Sequence, residues 1–263
     1  MIQESFSEKL TQLVDSNFIL GMKVETESEG LPWQEISRLR VISSKFSIPF
    51  LVKIGGVEAI TDMQAAVTLG VDELIAPMVE SKFAASKFLD ASSSHANAVG
   101  GKRLLIESTQ GIANLTEILE FSHSKISGVN FGRSDYSSSL ELDTGEPVKP
   151  DSKIVSRNIS NAIQEVRSMG LEVTMGGKIT PDSIPLIRDS FNHVPDRLET
   201  RRFVFSSEMA FHDESLVRKL LELELEMLSA FVAQNNSSAL RTSVYVGELR
   251  ARLEPKKKAP PII

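Results

Sequence analysis

Short apolar segments alternate along this chain with longer segments of helical period, and this alternation constrains the fold more than any other feature. The apolar segments have the length, and the β-branched or aromatic content, of buried parallel strands. Predicted strands lie at Ile19–Val24, Pro49–Ile54, Glu73–Met78, Leu104–Glu107, Gly128–Phe131, Leu171–Met175 and Arg197–Phe205.

The segments between the strands place apolar residues on one helical face. Glycines at 70 and 170 follow two of them, where a helix commonly ends. Strands that alternate with helices predict an α/β fold with a parallel sheet and right-handed crossovers. Seven strands are visible, so the pattern alone leaves both a closed barrel and an open doubly wound sheet possible. Predicted helices lie at Trp33–Phe46, Val57–Leu69, Asn114–Phe121 and Ile154–Met169.

Two further helices are predicted near the end of the chain. Residues 206–233 carry a leucine-rich stripe that is typical of a core-facing helix and also suits packing against another subunit. Ala239–Leu253 predicts a short helix that reaches away from the main domain or across to a neighbouring subunit. The Pro- and Lys-rich end, Glu254–Ile263, is typical of a disordered tail.

Composition excludes several classes of function. The 263 residues carry a formal net charge of −6, which argues against a general nucleic-acid role because phosphate binding needs a basic face. The sequence contains no cysteine, so disulfides and thiolate zinc sites are excluded. No segment approaches the roughly 20 apolar residues that span a bilayer, so we expect a soluble cytoplasmic protein. No glycine-rich nucleotide loop follows any predicted strand.

Charged residues at strand ends are the candidates for chemistry, because a parallel barrel forms its active site at the carboxyl ends of its strands. Glu107 ends the fourth predicted strand and Asp135 follows the fifth. Carboxylates from neighbouring strands can converge on one hard cation such as Mg²⁺ or Mn²⁺. Singly, each would be interpreted as an exposed charge; as a pair they favour a metal site. Gly132, just before Asp135, lets backbone N–H groups approach a bound carboxylate.

Lys53 is a charged residue inside an apolar strand. Its ammonium group must therefore either reach the barrel mouth or pair with an acidic side chain. It could stabilise a developing enolate or form a Schiff base, and an ion pair with Glu25 or Glu27 is an equally simple interpretation. In the segment DRLETRRFVF, the charged residues either line the mouth or form a salt-bridge ladder. None of the four histidines ends a predicted strand, which argues against a catalytic triad.

The order of three motifs resembles a known family. The segments KIGGVEAITDMQAAVTLGVDELIAPMVES, LLIESTQGIANLTEIL and ISGVNFGRSDYSSSL, between about Lys53 and Leu140, are similar to the aldolase/citrate lyase family, which includes the class II pyruvate aldolases. The succession of APMVES, IES and FGRSD is the specific part, and weaker similarity extends from Met22 to Phe205.

This resemblance implies a (β/α)8 TIM barrel of the phosphoenolpyruvate/pyruvate type. It implies that Glu107 and Asp135 bind Mg²⁺, Mn²⁺ or another divalent cation, which chelates pyruvate or oxaloacetate and acts as a Lewis acid toward the enolate. The residues of the adjoining turn, Gly132, Arg133 and Ser134, are expected to hold the substrate carboxylate.

The chain departs from the family pattern at two positions, which suggests a divergent branch. Typical members have an arginine where this chain has Lys53, which keeps the charge but loses the bidentate fork. Typical members also have an acidic-His-Gly sequence after an early strand, where this chain has Glu29 followed by Gly30. We therefore expect Lys53 to stabilise the oxyanion and Glu29 to serve as the general base.

Together these features predict a metal-dependent carbon–carbon lyase that acts on a 2-oxo acid. The alternative is a regulatory barrel that binds the metal and the 2-oxo acid without turnover. We expect a barrel domain over residues 1–233 and a C-terminal helix with a disordered tail over residues 234–263. We also expect a homo-oligomer that has no nucleic-acid or membrane partner.

Overall fold

The structure is a computed structural model that describes residues 4–26, 29–234 and 239–254. Within these residues eight strands close into one barrel, in which the order around the barrel follows the chain. The predicted α/β TIM-type barrel is thereby confirmed, and the open sheet is excluded. The strands are β1 (Ile19–Glu25), β2 (Phe50–Lys53), β3 (Glu73–Ala76), β4 (Gly101–Ile106), β5 (Gly128–Gly132), β6 (Glu172–Gly176), β7 (Arg197–Glu199) and β8 (Phe203–Ser206).

Helices surround the barrel, and each helix predicted between strands is present with ends shifted by a few residues. Gly70 and Gly170 follow two of them with φ of +62° and +73°, the left-handed conformation expected of glycine at a helix end. The helices are α1 (Glu4–Asp15), α2 (Trp33–Lys45), α3 (Ile60–Thr68), α4 (Lys82–His95), α5 (Thr109–Ala113), α6 (Leu115–Ser122), α7 (Arg133–Thr144), α8 (Lys153–Ser168), α9 (Ser183–Ser190), α10 (Ser207–His212), α11 (Ser215–Gln234) and α12 (Ala239–Leu253).

Most of the apolar core lies between the strands and the helices, whereas the barrel interior is largely polar below its mouth. The fully buried guanidinium of Arg103 donates to Asn130 Oδ1 at 2.7 Å and to Glu172 Oε2 at 2.9 Å. A small apolar cluster lies above this network and comprises Leu51, Ile75, Leu105 and Val204. Side chains therefore fill the barrel interior, and the space for a ligand lies at the barrel mouth.

The eighth strand departs from the ordinary parallel arrangement. The single predicted strand Arg197–Phe205 is two strands, β7 and β8, joined by a tight turn in which Thr200 N donates to Phe203 O at 2.8 Å. Strand β8 runs antiparallel to both β7 and β1. Because β8 runs opposite to its neighbours, the β7–β8 turn lies at the end of the barrel where the other seven strands finish. The turn residues Arg201 and Arg202 are thereby added to the mouth.

The last helix closes over the barrel mouth. Helix α12 packs along α11, and Tyr245 Oη donates to the fully buried Glu224 at 2.9 Å. Tyr245 and Arg252 of α12 line the cavity at the mouth. The expectation that this helix reaches away from the domain is therefore wrong. The predicted disordered tail lies outside the described residues beyond Glu254.

Every helix in the described part of the chain is too short or too polar to cross a bilayer.

Candidate active site at the barrel mouth

Two carboxyl groups from neighbouring strand ends meet at the mouth. Glu107 directly follows β4, and Asp135 is the third residue of α7, which begins where β5 ends. The two carboxyl groups are hydrogen-bonded to each other. Burial, together with the charge and the hydrogen bond of Asp135, raises the pKa of Glu107 to about 7, while Lys53 and the N–H of Met78 lower it. Glu107 is therefore about half protonated at neutral pH, and its proton allows the two carboxyl groups to remain in contact.

The backbone of β5 makes this meeting possible. A Cβ atom at Gly132 would lie 2.9 Å from Glu107 Oε2, so a larger residue would displace the carboxyl group. Glu107 itself is only 5% exposed, whereas Asp135 is open to solvent. Among the described residues no third carboxylate or imidazole completes a cluster of three metal-ligating side chains.

Lys53 lies beside this pair at the end of β2, and its charge acts on Glu107. Lys53 Nζ is 3.6 Å from Glu25 Oε2, so the ion pair that the sequence left open is formed with Glu25. Lys23 Nζ lies 3.4 Å from Glu25 Oε1 and 2.6 Å from Glu199 Oε1. Glu25 is thus held between two ammonium groups at the floor of the site.

These groups open into a cavity of about 310 Å³ that carries both signs of charge. Its inner part contains Lys53, Glu25, Glu107 and Asp135, and its outer wall is formed by the β7–β8 turn and by α12. The volume lies at the lower end of the range for small-molecule sites.

The amino end of α7 faces the same cavity. Its first N–H groups have no partner within the helix, and the Oγ atom of Ser134 is buried without a hydrogen-bond partner. Opposite them, Gly177 adopts φ +100°, and a Cβ there would lie 2.7 Å from Ser134 N. Glycine at this position therefore lets the turn after β6 pack directly against the amino end of α7, whose backbone N–H groups and Ser134 hydroxyl lie at the cavity wall, an arrangement that suits an anion.

Arg133, expected to bind substrate, points elsewhere. Its guanidinium is almost fully buried and donates to the carbonyl oxygens of Gly176 and Gly177, at 3.2 and 2.7 Å, and to Asp151 Oδ1 at 2.7 Å. Arg133 does not line the cavity. Its side chain instead fixes the turn after β6, which places Gly177 against the amino end of α7.

Glu29, expected to be the general base, is also kept from the cavity. Arg202 donates to Glu29 Oε1 at 2.7 Å, and Arg201 Nε lies 3.5 Å from the same oxygen. Burial raises the pKa of this carboxyl group, and the charge of Arg202 opposes that effect. Glu29 is not among the residues that line the cavity, and Glu27 lies outside the described residues.

Sequence reasoning missed several cavity residues, and both alternatives that it left open for the segment DRLETRRFVF occur, at different residues. Arg197 belongs to a salt-bridge ladder with Glu172 and Glu73 inside the barrel. Glu199 and Arg201 line the cavity. Lys23 was missed because it lies within β1 rather than at its end. The α12 residues Tyr245, Glu248 and Arg252 share one helical face, which was visible in their spacing, but the spacing does not reveal what that face contacts.

Residues 51–172 match the family model described as HpcH/HpaI aldolase/citrate lyase. This stretch is therefore similar to members of that family. It contains Lys53, Glu107 and Asp135, so the resemblance found from the three motifs is confirmed where the paired carboxylates lie. Similarity of this stretch to the HpcH/HpaI aldolase/citrate lyase family is consistent with a lyase. Strands β1, β7 and β8 and helix α12, which complete the cavity, lie outside the matched stretch.

Solved structures support the same fold at low sequence identity. An HpcH/HpaI aldolase from Desulfitobacterium hafniense is 13% identical, with a TM-score of 0.56 over 73% of this chain and 81% of that chain. A family protein from Burkholderia cenocepacia is 13% identical, with a TM-score of 0.57 over 85% and 92%. The citrate synthase SbnG is 13% identical, with a TM-score of 0.55 over 78% and 85%. No curated protein matches the sequence.

Proposed function

We propose that this protein is a divalent-metal-dependent carbon–carbon lyase that acts on a 2-oxo acid such as pyruvate or oxaloacetate. The observation that carries the proposal is the contact between Glu107 and Asp135 at the mouth of the barrel, within the stretch that matches the HpcH/HpaI aldolase/citrate lyase family.

The donor set fits a hard cation. Two carboxyl groups in hydrogen-bonding contact must share a proton or a cation, because like charges so close cannot both remain ionised. Carboxylate oxygens are the ligands that Mg²⁺ and Mn²⁺ prefer, and Mg²⁺ is commonly held by only one or two protein carboxylates. Glu107 and Asp135 would therefore hold the ion, leaving its other positions to water and substrate. When bound, such an ion polarises a 2-oxo group as a Lewis acid.

The cavity wall at the amino end of α7 is the position we assign to the substrate carboxylate. The N–H groups of the first turn of α7 and the Ser134 hydroxyl can donate to it, and Gly177 keeps the turn after β6 packed against these groups. This assignment keeps Gly132 and Ser134 as binding residues through their backbone or hydroxyl groups. Arg133 contributes indirectly, by holding the turn that carries Gly177.

Lys53 is the group that we assign to stabilise negative charge on the 2-oxo oxygen. It lies at the mouth, acts electrostatically on Glu107 and lines the cavity. A fixed positive charge at this position lowers the energy of an enolate more than that of the neutral ketone. As a point charge, Lys53 supplies this stabilisation without the paired N–H geometry of an arginine.

Glu25 is a better candidate than Glu29 for moving the proton at C3. Glu25 lines the cavity next to Lys53, whereas Glu29 is enclosed by Arg202 and Arg201. A general base has to reach the proton that it removes before its pKa matters. We therefore assign the proton transfer to Glu25.

Exchange of the C3 protons of pyruvate in D₂O, followed by NMR with Mg²⁺ present, tests the proposal. We expect exchange with the wild-type protein and its loss in E107Q. Full exchange and full metal content in E107Q would refute the metal assignment. Binding of pyruvate without exchange in the wild type would instead favour the regulatory barrel that binds without turnover. A cytoplasmic location and a homo-oligomeric state stay predictions from the sequence.

A further inference from the structure

Two arginine side chains come together on the outer wall of the cavity. Arg201 Cζ lies 3.9 Å from the centre of the Tyr245 ring, and Arg252 Cζ lies 5.6 Å from the same centre. Arg201 comes from the β7–β8 turn and Arg252 from α12, so the fold brings them together from distant parts of the chain. All three side chains line the cavity.

Nearby carboxylates only partly neutralise the positive charge of Arg201 and Arg252. The partner of Arg201 is Glu29, at 3.5 Å, but Glu29 is already bound more closely by Arg202. The partner of Arg252 is Glu248, at 3.5 Å, whose side chain is 53% exposed. Each guanidinium has five N–H donors, so both retain donors that can bind a ligand. Two cations brought together in a partly enclosed cavity repel each other, and a bound anion would relieve that repulsion.

The part of the wall formed by α12 is held against α11. Tyr245 donates its hydroxyl to Glu224, whose side chain is fully buried on α11. Burial and the charge of Glu224 raise the pKa of Tyr245, so the phenol stays protonated and keeps this hydrogen bond. The ring that both arginines contact therefore has a fixed position, and groups held on rigid elements bind ligands more selectively.

We propose that Arg201 and Arg252 bind a second anionic group of the substrate, at the end remote from Glu107 and Asp135. The preferred substrate is then a 2-oxo acid that carries a second carboxylate or a phosphate-like group. Guanidinium groups recognise both anions through paired N–H donors. This inference rests on the proposed function, because it takes the paired carboxylates as the inner end of the same site.

Matched acids of equal chain length test the proposal. Dissociation constants for 2-oxoglutarate and 2-oxovalerate, measured by titration calorimetry with Mg²⁺ at constant ionic strength, differ only through the second carboxylate. We expect the wild-type protein to bind 2-oxoglutarate at least about tenfold more tightly, in line with charge-assisted hydrogen bonds. The phosphonate analogue 2-oxo-4-phosphonobutyrate distinguishes the two anions, because tighter binding than 2-oxoglutarate would assign the position to a phosphate-like group.

Substitutions on α12 connect the preference to the arginine pair. R252Q is expected to reduce the ratio of the two dissociation constants to near one, whereas R252K should keep part of it because the charge remains but the fork is lost. The ratio is independent of the amount of folded protein. Arg250 is exposed on the same helix and does not line the cavity, so R250Q should keep the full ratio.

Different results would refute different claims. Equal binding of the matched acids by a wild-type protein that exchanges the C3 protons of pyruvate would overturn this inference and leave the proposed function standing. An equal loss of preference in R250Q and R252Q would also overturn it. Absence of binding by all three acids would overturn both the inference and the proposed function.

Discussion

The carboxyl groups of Glu107 and Asp135 are hydrogen-bonded to each other at the mouth of the barrel, although they follow different strands. Gly132 provides the space for this contact, since a Cβ at that position would press on Glu107 Oε2. Under the proposed function, a divalent cation bound between these carboxyl groups would take the place of the proton and satisfy both carboxylates at once.

Removing either carboxylate should weaken metal binding. We expect E107Q and D135N each to raise the Kd for Mn²⁺ by more than about 100-fold, since even groups that only orient a metal ligand are worth about 10- to 100-fold. Titration followed by the paramagnetic signal of free Mn²⁺ measures this change. Asp143 is exposed on the same helix as Asp135, so D143N should bind Mn²⁺ like the wild type. Equal affinity in all three variants would contradict the assignment.

Stability of the metal-free protein should fall as pH rises toward neutrality. The pKa of Glu107 is about 7 in the folded protein, against an ordinary value of 4.5, so between these values the folded state holds more protons than the unfolded state. Linkage then lowers the free energy of unfolding across this window, by about 3 kcal/mol in total. Urea unfolding in EDTA, compared between wild type and E107Q at several pH values, measures the effect. A wild-type stability that rises relative to E107Q across the window would contradict the prediction.

Most of the barrel could be predicted because buried parallel strands need continuous apolar segments, and six of the eight strands have one that stands alone. The β7–β8 hairpin could not be predicted. Its turn, residues 200–202, reads Thr-Arg-Arg and lacks the Gly, Asn or Pro that usually mark a reversal. The two strands therefore looked like one, and the direction of β8 was hidden.

The sequence predicts the location of a site residue when that location depends only on which strand the residue follows. Glu107 and Asp135 end neighbouring strands of a parallel barrel, so their meeting followed from the topology. Glu29 was misjudged because Arg202, which encloses it, belongs to the unpredicted hairpin. The face of α12 that lines the cavity depends on how that helix docks on α11, and helical periodicity contains no information about docking.

Removing the negative charge of Glu25 should affect proton exchange, whereas removing that of Glu29 should affect the stability of the protein. E29Q breaks a buried pair with Arg202 and should destabilise the protein by about 3–5 kcal/mol, because an uncompensated guanidinium remains. E25Q should instead slow the exchange of pyruvate C3 protons by about 100-fold or more, the usual contribution of a general base. Urea unfolding and NMR exchange rates, both normalised to folded protein, separate the two effects.

Glu58 supplies the control for these two variants, because it pairs with Lys87 on the surface, away from the cavity. E58Q should leave both stability and exchange close to the wild type, since exposed ion pairs contribute little. If E29Q slowed exchange per folded molecule as strongly as E25Q, Glu29 would regain the role of general base.

Displacing the amino end of α7 should weaken 2-oxo-acid binding. A Cβ at residue 177 would lie 2.7 Å from Ser134 N and 2.8 Å from Arg133 Cβ, so the donors that we assign to the substrate carboxylate would have to move. We expect G177A to raise the Kd for pyruvate at least about tenfold, the loss of one charge-assisted hydrogen bond. G170A shares the backbone cost, since Gly170 also has positive φ, but a Cβ there meets nothing within 4 Å. Calorimetric binding of pyruvate to both variants separates the cost of positive φ from the displacement of α7, and wild-type affinity in G177A would show that the carboxylate binds elsewhere.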